Sequence, residues 1–174
     1  MDKPKRFVVT GTSGTGKTSL IEELRKQGMV CFDEPGRKVL TSGSDEAKVR
    51  PEPFVEEMLT QSLSDYREAS NMPTAFYDRG LPDIVAYAHR FRVPISRYQK
   101  ASETYRYEST IFVAPPWQEI FANDEVRRAT FEEYLEFHEL ILNIYQKLDY
   151  SIRILPKISV AERAEYIKSA TFDA

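Results

Sequence analysis

The stretch FVVTGTSGTGKTS, residues 7–19, decides the fold. Residues 7–9 form a short apolar run of the kind that is typical of a buried strand. Residues 11–18 then match the pattern G-x-x-x-x-G-K-[ST], in which a glycine-rich loop directs backbone N–H groups at a phosphate chain. Apolar residues recur at helical spacing over 20–24, so the loop opens a helix whose positive end faces the anion. The stretch therefore predicts a P-loop between a first strand and a first helix.

The residues of this loop have distinct predicted roles. Lys17 is expected to reach the β- and γ-phosphates of a nucleotide, and Thr18 is expected to ligate Mg²⁺. The loop chemistry alone does not distinguish ATP from GTP. The phosphate chain as a whole is predicted to contact Gly11, Thr12, Ser13, Gly14, Thr15, Gly16, Lys17, Thr18 and Ser19.

The composition excludes several classes of protein. The chain has 174 residues, with 24 Lys and Arg against 27 Asp and Glu, and a net charge of −3. This length predicts a single domain over residues 1–174, and the balanced charge predicts no obligatory nucleic-acid partner. No apolar run approaches about 18 residues, so no membrane span is expected. With one cysteine, Cys31, and no signal-peptide pattern, we expect a cytoplasmic protein; the oligomeric state stays open.

Apolar runs alternate with helical patterns along the whole chain. Strands are predicted near residues 7–9, 29–32, 74–77, 110–113 and 152–155, with helices between them. Such alternation is typical of an α/β fold, here a five-stranded parallel sheet covered by helices on both faces. In the small P-loop kinases the third strand lies beside the P-loop strand, which corresponds to the order 2-3-1-4-5. Residues 41–53 are predicted to form a polar loop, and 115–130 a lid.

Two strand ends carry acidic residues, and ligands bind at the carboxyl ends of parallel strands. Asp78 ends the third strand and is predicted to hold Mg²⁺ through water, while Arg79 would point at a phosphate or an acceptor. Asp33 and Glu34 end the second strand, which also fits the pattern of apolar residues followed by two acids. Because the second strand lies across the cleft from the γ-phosphate, Glu34 is favoured as the base for an acceptor hydroxyl, with Asp33 as its substitute.

The last two strand ends suggest a lid and a base-binding wall. Arg127 and Arg128 lie beyond the fourth strand and are predicted to close over the phosphates and neutralise transition-state charge. Trp117 either stacks on a flat ligand or anchors the lid. Pro156 and Lys157 follow the fifth strand, where the loop is expected to border the adenine.

Five segments fall in the order and spacing of a known family: GTSGTGKTS, FDEPGR, YDRGLPDIVAYA, APPWQEIFANDEVRRATFEEY and LPKISVAERAEYI. The chain resembles the small P-loop ATPases and kinases, labelled AAA domain, that are related to the nicotinamide riboside kinase domain. The resemblance covers nearly the whole chain and implies binding of ATP and Mg²⁺. The chain is also similar to deoxynucleoside kinases, in Glu34-Pro35 for their base motif and in Asp78-Arg79 for their acidic-Arg motif. Their lid contains more arginine than this one.

Transfer of phosphate to an acceptor is the favoured function. It requires a small-molecule pocket between the second strand, the helix from residue 54 and the helix of the 80s, predicted to be lined by Glu34, Arg37, Arg79 and Asp83. The alternatives are an ATPase that uses hydrolysis as a switch and a nucleotide-binding module without transfer. A motor-type ATPase keeps a glutamate directly after the Walker B aspartate, and here Arg79 follows Asp78. This difference favours a kinase.

Overall fold

A computed structural model describes residues 3–121 and 129–172. Its helices and strands are β1 (Lys5–Thr10), α1 (Lys17–Lys26), β2 (Cys31–Phe32), α2 (Pro35–Ser42), α3 (Asp45–Val49), α4 (Pro51–Glu68), β3 (Thr74–Asp78), α5 (Leu81–Arg90), α6 (Ser96–Thr104), β4 (Thr110–Val113), α7 (Phe131–Lys147), β5 (Ser151–Ile154) and α8 (Val160–Phe172).

The strands form one parallel sheet in the order β2-β3-β1-β4-β5. The predicted α/β fold and strand order are therefore confirmed. Strand β1 pairs with β3 along one edge and with β4 along the other, so it lies in the middle of the sheet. The P-loop consequently emerges at the centre of the sheet edge, where ligands bind in open α/β sheets.

Side chains of β1 alternate between two apolar clusters, one on each face of the sheet. Val8 packs into the cluster that includes α4, α5 and α7. Phe7 and Val9 pack on the opposite face with α1 and α8, and Phe7 stacks on Phe76 at 5.5 Å. Because both faces are covered, β1 is apolar at successive positions rather than only at every second one.

The predicted polar loop over 41–53 is wrong, because most of this segment is helical. Helix α2 continues to Ser42, and Ser44 caps α3 by accepting a hydrogen bond from the backbone N–H of Ala47 at 3.1 Å. Pro51 occupies the first turn of α4, where a missing N–H costs nothing. The polar residues that suggested a loop are helix caps and first-turn residues.

Two smaller predictions also need correction. The second strand comprises only Cys31–Phe32, although Phe32 stacks firmly on Tyr77 at 5.0 Å. Helical spacing of the apolar residues also predicts Leu135 for the inner face of α7, but it is 41 % exposed, while Phe137 is buried. Helix α7 does begin with a capping box, in which Thr130 and Glu133 exchange hydrogen bonds.

Within the described ranges, no helix is both long enough and apolar enough to cross a membrane.

Candidate active site

The P-loop wraps the first turn of α1, and two of its glycines have backbone angles that this path requires. Gly11 has φ of 136°, and a Cβ there would lie 2.4 Å from the carbonyl oxygen of Ala114. Gly16 has φ of 82° and directly precedes α1. Both positions favour glycine because other residues rarely adopt positive φ. The backbone N–H groups at the start of α1 are thereby free of side-chain obstruction.

Lys17 lies folded against its own loop. Its ammonium donates to the carbonyl oxygen of Thr12 at 2.7 Å and contacts the Thr15 hydroxyl at 3.5 Å. Burial and the nearby positive charge of Arg79 together lower the pKa of Lys17 to about 8, against the opposing effect of nearby carboxylates. A buried cation with neutral partners is well placed to exchange them for phosphate oxygens.

A cavity of about 680 Å³ extends from the P-loop across the strand ends. Its loop side includes Lys17 and Thr18. The opposite side combines a carboxylate and a cation with apolar and aromatic side chains: Glu34, Arg37, Leu40, Phe54, Tyr87 and Phe91. Three of these rings form a continuous wall, with Phe91 6.1 Å from Phe54 and 5.9 Å from Tyr87. The cavity has the size and mixed lining of a small-molecule site.

Asp78 and Asp33, the two candidates for the magnesium site, have different surroundings. Asp78 is buried at the end of β3, paired in register with Val9 of the P-loop strand. Its Oδ1 has no hydrogen-bond partner among the described residues, and burial raises its pKa to about 6. Asp33 is half-exposed and pairs with Arg25 at 2.6 Å. This contrast favours Asp78.

The residues near Asp78 fit a magnesium ion. A second cavity of about 330 Å³ is lined by Thr18, Asp78, Glu34 and Asp33 among others. No group of three or more His, Cys, Asp or Glu that would make an all-protein cage occurs in the parts of the chain that the structure covers. Mg²⁺ does not need one, because it is commonly held by one or two protein oxygens together with substrate phosphates and water. A hydroxyl at Thr18 and an unpaired buried carboxylate oxygen at Asp78 match that donor set.

Arg79 connects the ends of β2 and β3. It has φ of 73°, and this turn directs its fully buried guanidinium group towards Glu34, so Arg79 does not line the cavity or point at a phosphate as was predicted. Its Nε donates to Glu34 Oε1 at 3.1 Å, and its Nη1 donates to Asp83 Oδ1 at 3.2 Å. Burial of Glu34 raises its pKa, but the charges of Arg79 and Lys17 together outweigh this effect, so the pKa is lowered. Glu34 is consequently an ionised carboxylate with a fixed orientation.

Asp83 does not line the pocket for which it was predicted. Its side chain is fully buried beneath the pocket, and its carboxylate accepts from four donors: Thr10 Oγ1, Arg79 Nη1, the Gly80 backbone N–H and Tyr145 Oη. A carboxylate with this many protein partners has no lone pair to offer an acceptor. Asp83 is part of the support for Arg79.

Arg163 is a residue that sequence analysis missed. From α8 it donates to the carbonyl oxygen of Pro156 at 2.8 Å and to that of Thr15 at 2.9 Å, so it ties the last helix to the P-loop. Its guanidinium lies 5.0 Å from the ring centroid of Trp117. Trp117 therefore has a protein partner for its ring face, which favours the anchoring role. No local pattern in the sequence marks Arg163 as different from other arginines on helices.

The remaining predicted residues are not tested by this geometry. Pro156 and Lys157 follow β5 at the same edge of the sheet, and their contact with adenine stays a prediction. Arg127 and Arg128 lie outside the described residues. Ile120 and Ala129, which lie close to the two ends of this segment, both line the larger cavity.

The strand order, the loop and the carboxylate at the end of β3 together define a P-loop NTPase fold. The chain belongs to an AAA domain family, whose model matches residues 6–163. A comparison with curated protein sequences finds no match.

Several solved structures share this fold. NadR protein in complex with NR has a TM-score of 0.74 at 21% identity, over 98% of this chain and 50% of that one, so the chain spans about half of its length. Deoxyadenosine kinase from M. mycoides, with products dCMP and dCDP, has a TM-score of 0.67 at 15% identity, over 97% of this chain and 100% of that one. Shikimate kinase from Acinetobacter baumannii, in complex with shikimate, has a TM-score of 0.63 at 10% identity, over 98% of this chain and 94% of that one. Likeness at these identities shows the fold.

Proposed function

We propose that the protein is an ATP-dependent phosphotransferase that moves the γ-phosphate to a hydroxyl of a small molecule. The observation that carries this proposal is the larger cavity, in which the Lys17 and Thr18 side of the P-loop faces the carboxylate of Glu34 across about 680 Å³ of space. That volume accommodates both a triphosphate and a small acceptor. The fold is also that of proteins named as kinases of deoxyadenosine and shikimate.

The P-loop side binds and orients the triphosphate in this proposal. Backbone N–H groups of the loop and the Lys17 ammonium contact the β- and γ-phosphates. Thr18 and Asp78 would hold Mg²⁺, which neutralises charge on the phosphate oxygens when it is bound. Arg127 and Arg128 are proposed to add positive charge beside the transferred group.

Glu34 acts on the acceptor side. It orients the acceptor hydroxyl towards the γ-phosphorus and accepts its proton as the new P–O bond forms and the bond to ADP breaks. A lowered pKa makes Glu34 a weak base, but phosphoryl transfer passes through a loose transition state in which little deprotonation is required early. Glu34 therefore both orients the hydroxyl and accepts its proton late in the reaction.

The rest of the pocket is suited to a flat or apolar acceptor that also carries polar groups. Arg37 is exposed within the cavity and is proposed to contact a polar part of the acceptor. Phe54, Tyr87 and Phe91 provide the aromatic wall. Such a lining is suited to a nucleoside-like molecule.

Motor-type ATPases position the attacking water with a carboxylate. A motor-type ATPase places it directly after the Walker B aspartate, whereas here Arg79 occupies that position and turns into the protein interior. Among the residues that line the larger cavity, Glu34 is the one carboxylate, and it faces the P-loop. This arrangement supports transfer to an acceptor over hydrolysis.

A screen with product identification tests the proposal. The protein is incubated with MgATP and single candidates from a panel of nucleosides, deoxynucleosides, nicotinamide riboside and shikimate, and the products are followed by ³¹P NMR. We expect one class of candidate to give a new phosphoester in an amount equal to the ADP formed, and Lys17→Ala to abolish it. If inorganic phosphate is the one product besides ADP, and no candidate changes the rate of its release, the kinase proposal is overturned.

A further inference from the structure

A buried hydrogen-bond network connects α7 to the residues at the ends of β2 and β3. We propose that Tyr145, acting through Asp83, is a positioning residue that sets the orientation of Arg79 and thereby of Glu34. The inference rests on the proposed function only in taking Glu34 as the group that orients the acceptor. The network itself is a matter of geometry.

Asp83 is the centre of this network. Tyr145 Oη donates to Asp83 Oδ2 at 2.6 Å, and the Gly80 backbone N–H donates to the same oxygen at 2.9 Å. The other oxygen, Oδ1, accepts from Arg79 Nη1 at 3.2 Å and from the Thr10 hydroxyl. Tyr145 and Asp83 are both fully buried. One carboxylate therefore joins the end of the P-loop strand, the end of β3 and the last turn of α7.

A capping role for Asp83 accounts for only one of these contacts. As the third residue of α5, Asp83 caps the helix through its bond to the Gly80 N–H, and that bond requires no burial and no tyrosine. The approach of Tyr145 is also tight, because a Cβ at position 80 would lie 2.8 Å from the Tyr145 hydroxyl. The glycine thus permits a contact that capping does not need.

The orientation of Arg79 depends on few bonds. Its Nε contacts Glu34 and its Nη1 contacts Asp83, while its Nη2 has no hydrogen-bond partner among the described residues. If Tyr145 no longer donates to Oδ2, the buried Asp83 carboxylate loses one of its fixed donors and is free to rotate towards the others. Arg79 is then held mainly by Glu34, the group that it is proposed to orient.

The test compares Tyr145→Phe with Tyr150→Phe. Tyr150 is a matched control because it is buried, its ring lies 5.5 Å from that of Tyr145, and its hydroxyl accepts from the Tyr107 N–H instead of contacting Asp83. The first measurement is ¹⁵N NMR of solvent exchange at the Arg79 Nε–H, assigned by its loss in Arg79→Lys, at one pH and temperature. We expect exchange about tenfold faster or more in Tyr145→Phe, since a hydrogen bond to a charged group is lost, and little change in Tyr150→Phe.

A second variant reaches the same contact by another route. Gly80→Ala keeps the tyrosine but places a Cβ 2.8 Å from its hydroxyl and 3.0 Å from both Tyr107 and Val8, so it disturbs this contact together with its neighbours, and it is expected to accelerate Arg79 exchange as well. With an acceptor from the screen above, both variants should lower kcat while the KM for MgATP stays within about twofold, because Arg79 is not proposed to contact the nucleotide.

The outcomes separate this inference from the proposed function. Arg79 exchange that is unchanged in Tyr145→Phe, or that changes equally in Tyr150→Phe, overturns the positioning role even if the protein proves to be a kinase. Faster exchange confined to Tyr145→Phe and Gly80→Ala supports the role even if the screen finds no acceptor, because the NMR measurement uses the free protein.

Discussion

Lys17 shows how burial prepares a single residue for its ligand. Because its pKa is lowered to about 8, the ammonium carries its charge below pH 8 and loses it above. We expect the affinity for ATP, measured by calorimetry, to be steady below pH 8 and to fall as the pH rises through 8 to 9.5. Lys17→Ala should bind ATP about tenfold more weakly than the unchanged protein, and its affinity should not show this pH dependence. The exposed Lys26→Ala serves as a control, and a pH dependence that persists in Lys17→Ala would assign the effect to another group.

Glu34 is ionised throughout the working range because Arg79 and Lys17 lower its pKa. Glu34→Gln keeps the shape of the side chain but removes its ability to take up a proton. We expect acceptor-dependent transfer to fall by about 10²–10⁴-fold, with ATP affinity and slow background hydrolysis retained. Weakened MgATP binding with transfer that recovers fully at saturating MgATP would place Glu34 in the metal site instead.

Asp78 and Asp33 make opposite predictions for magnesium. The pKa of Asp78 is raised to about 6 by burial, so in the free protein Mg²⁺ must displace a proton below that pH. Asp78→Asn should therefore raise the Mg²⁺ concentration needed for half-maximal turnover, and the wild-type requirement should itself rise as the pH falls below 6. Asp33→Asn should change neither, since its carboxylate is half-exposed and paired with Arg25. The reverse result would move the magnesium site to the end of β2.

Among the helices, α7 begins with a contact whose contribution can be isolated. Thr130 accepts from the Glu133 N–H at 3.2 Å, and Glu133 accepts from the Thr130 N–H at 2.6 Å. Thr130→Ala removes this cap and should cost about 1 kcal/mol of unfolding free energy, which lowers Tm by about 2–4 °C in a chain of this size. Thr104→Ala is the control, because its hydroxyl bonds back to Lys100 within its own helix and caps nothing. Equal losses of Tm in the two variants would argue that the cap contributes no stability.

The molecule as a whole should respond to nucleotide through linkage. If MgATP binds only the folded chain, a concentration of about 100 times Kd adds about 2.7 kcal/mol to the free energy of unfolding. For a domain of this length, that corresponds to a rise in Tm of about 5–10 °C, measurable by scanning fluorimetry. Lys17→Ala at the same MgATP concentration should show only about half of this rise, because tenfold weaker binding leaves about 10 times its Kd and a stabilisation of about 1.4 kcal/mol. An identical rise in that variant would mean that the nucleotide binds elsewhere.

Much of the fold follows from local sequence. The P-loop is contiguous, so the spacing of its glycines and lysine between an apolar run and a helical pattern is enough to place it. The alternation of apolar runs and helices likewise predicted the parallel sheet, and the strand order came from the resemblance to small kinases. The error over 41–53 arose because serine, aspartate and proline serve both loops and helix starts, and only the packing of α2 and α3 against α4 decided between them.

By itself, the sequence determined that this chain has a P-loop at the head of a first helix within an α/β sheet. The tertiary structure alone decided the surroundings of each charged residue. Asp33 and Asp78 both follow apolar runs, yet the order of the strands leaves one half-exposed and buries the other beside the P-loop. Asp83 and Tyr145 lie far apart in the chain, and their hydrogen bond exists because α5 packs against α7. Burial and pairing are set by such long-range contacts, which a local pattern of residues does not contain.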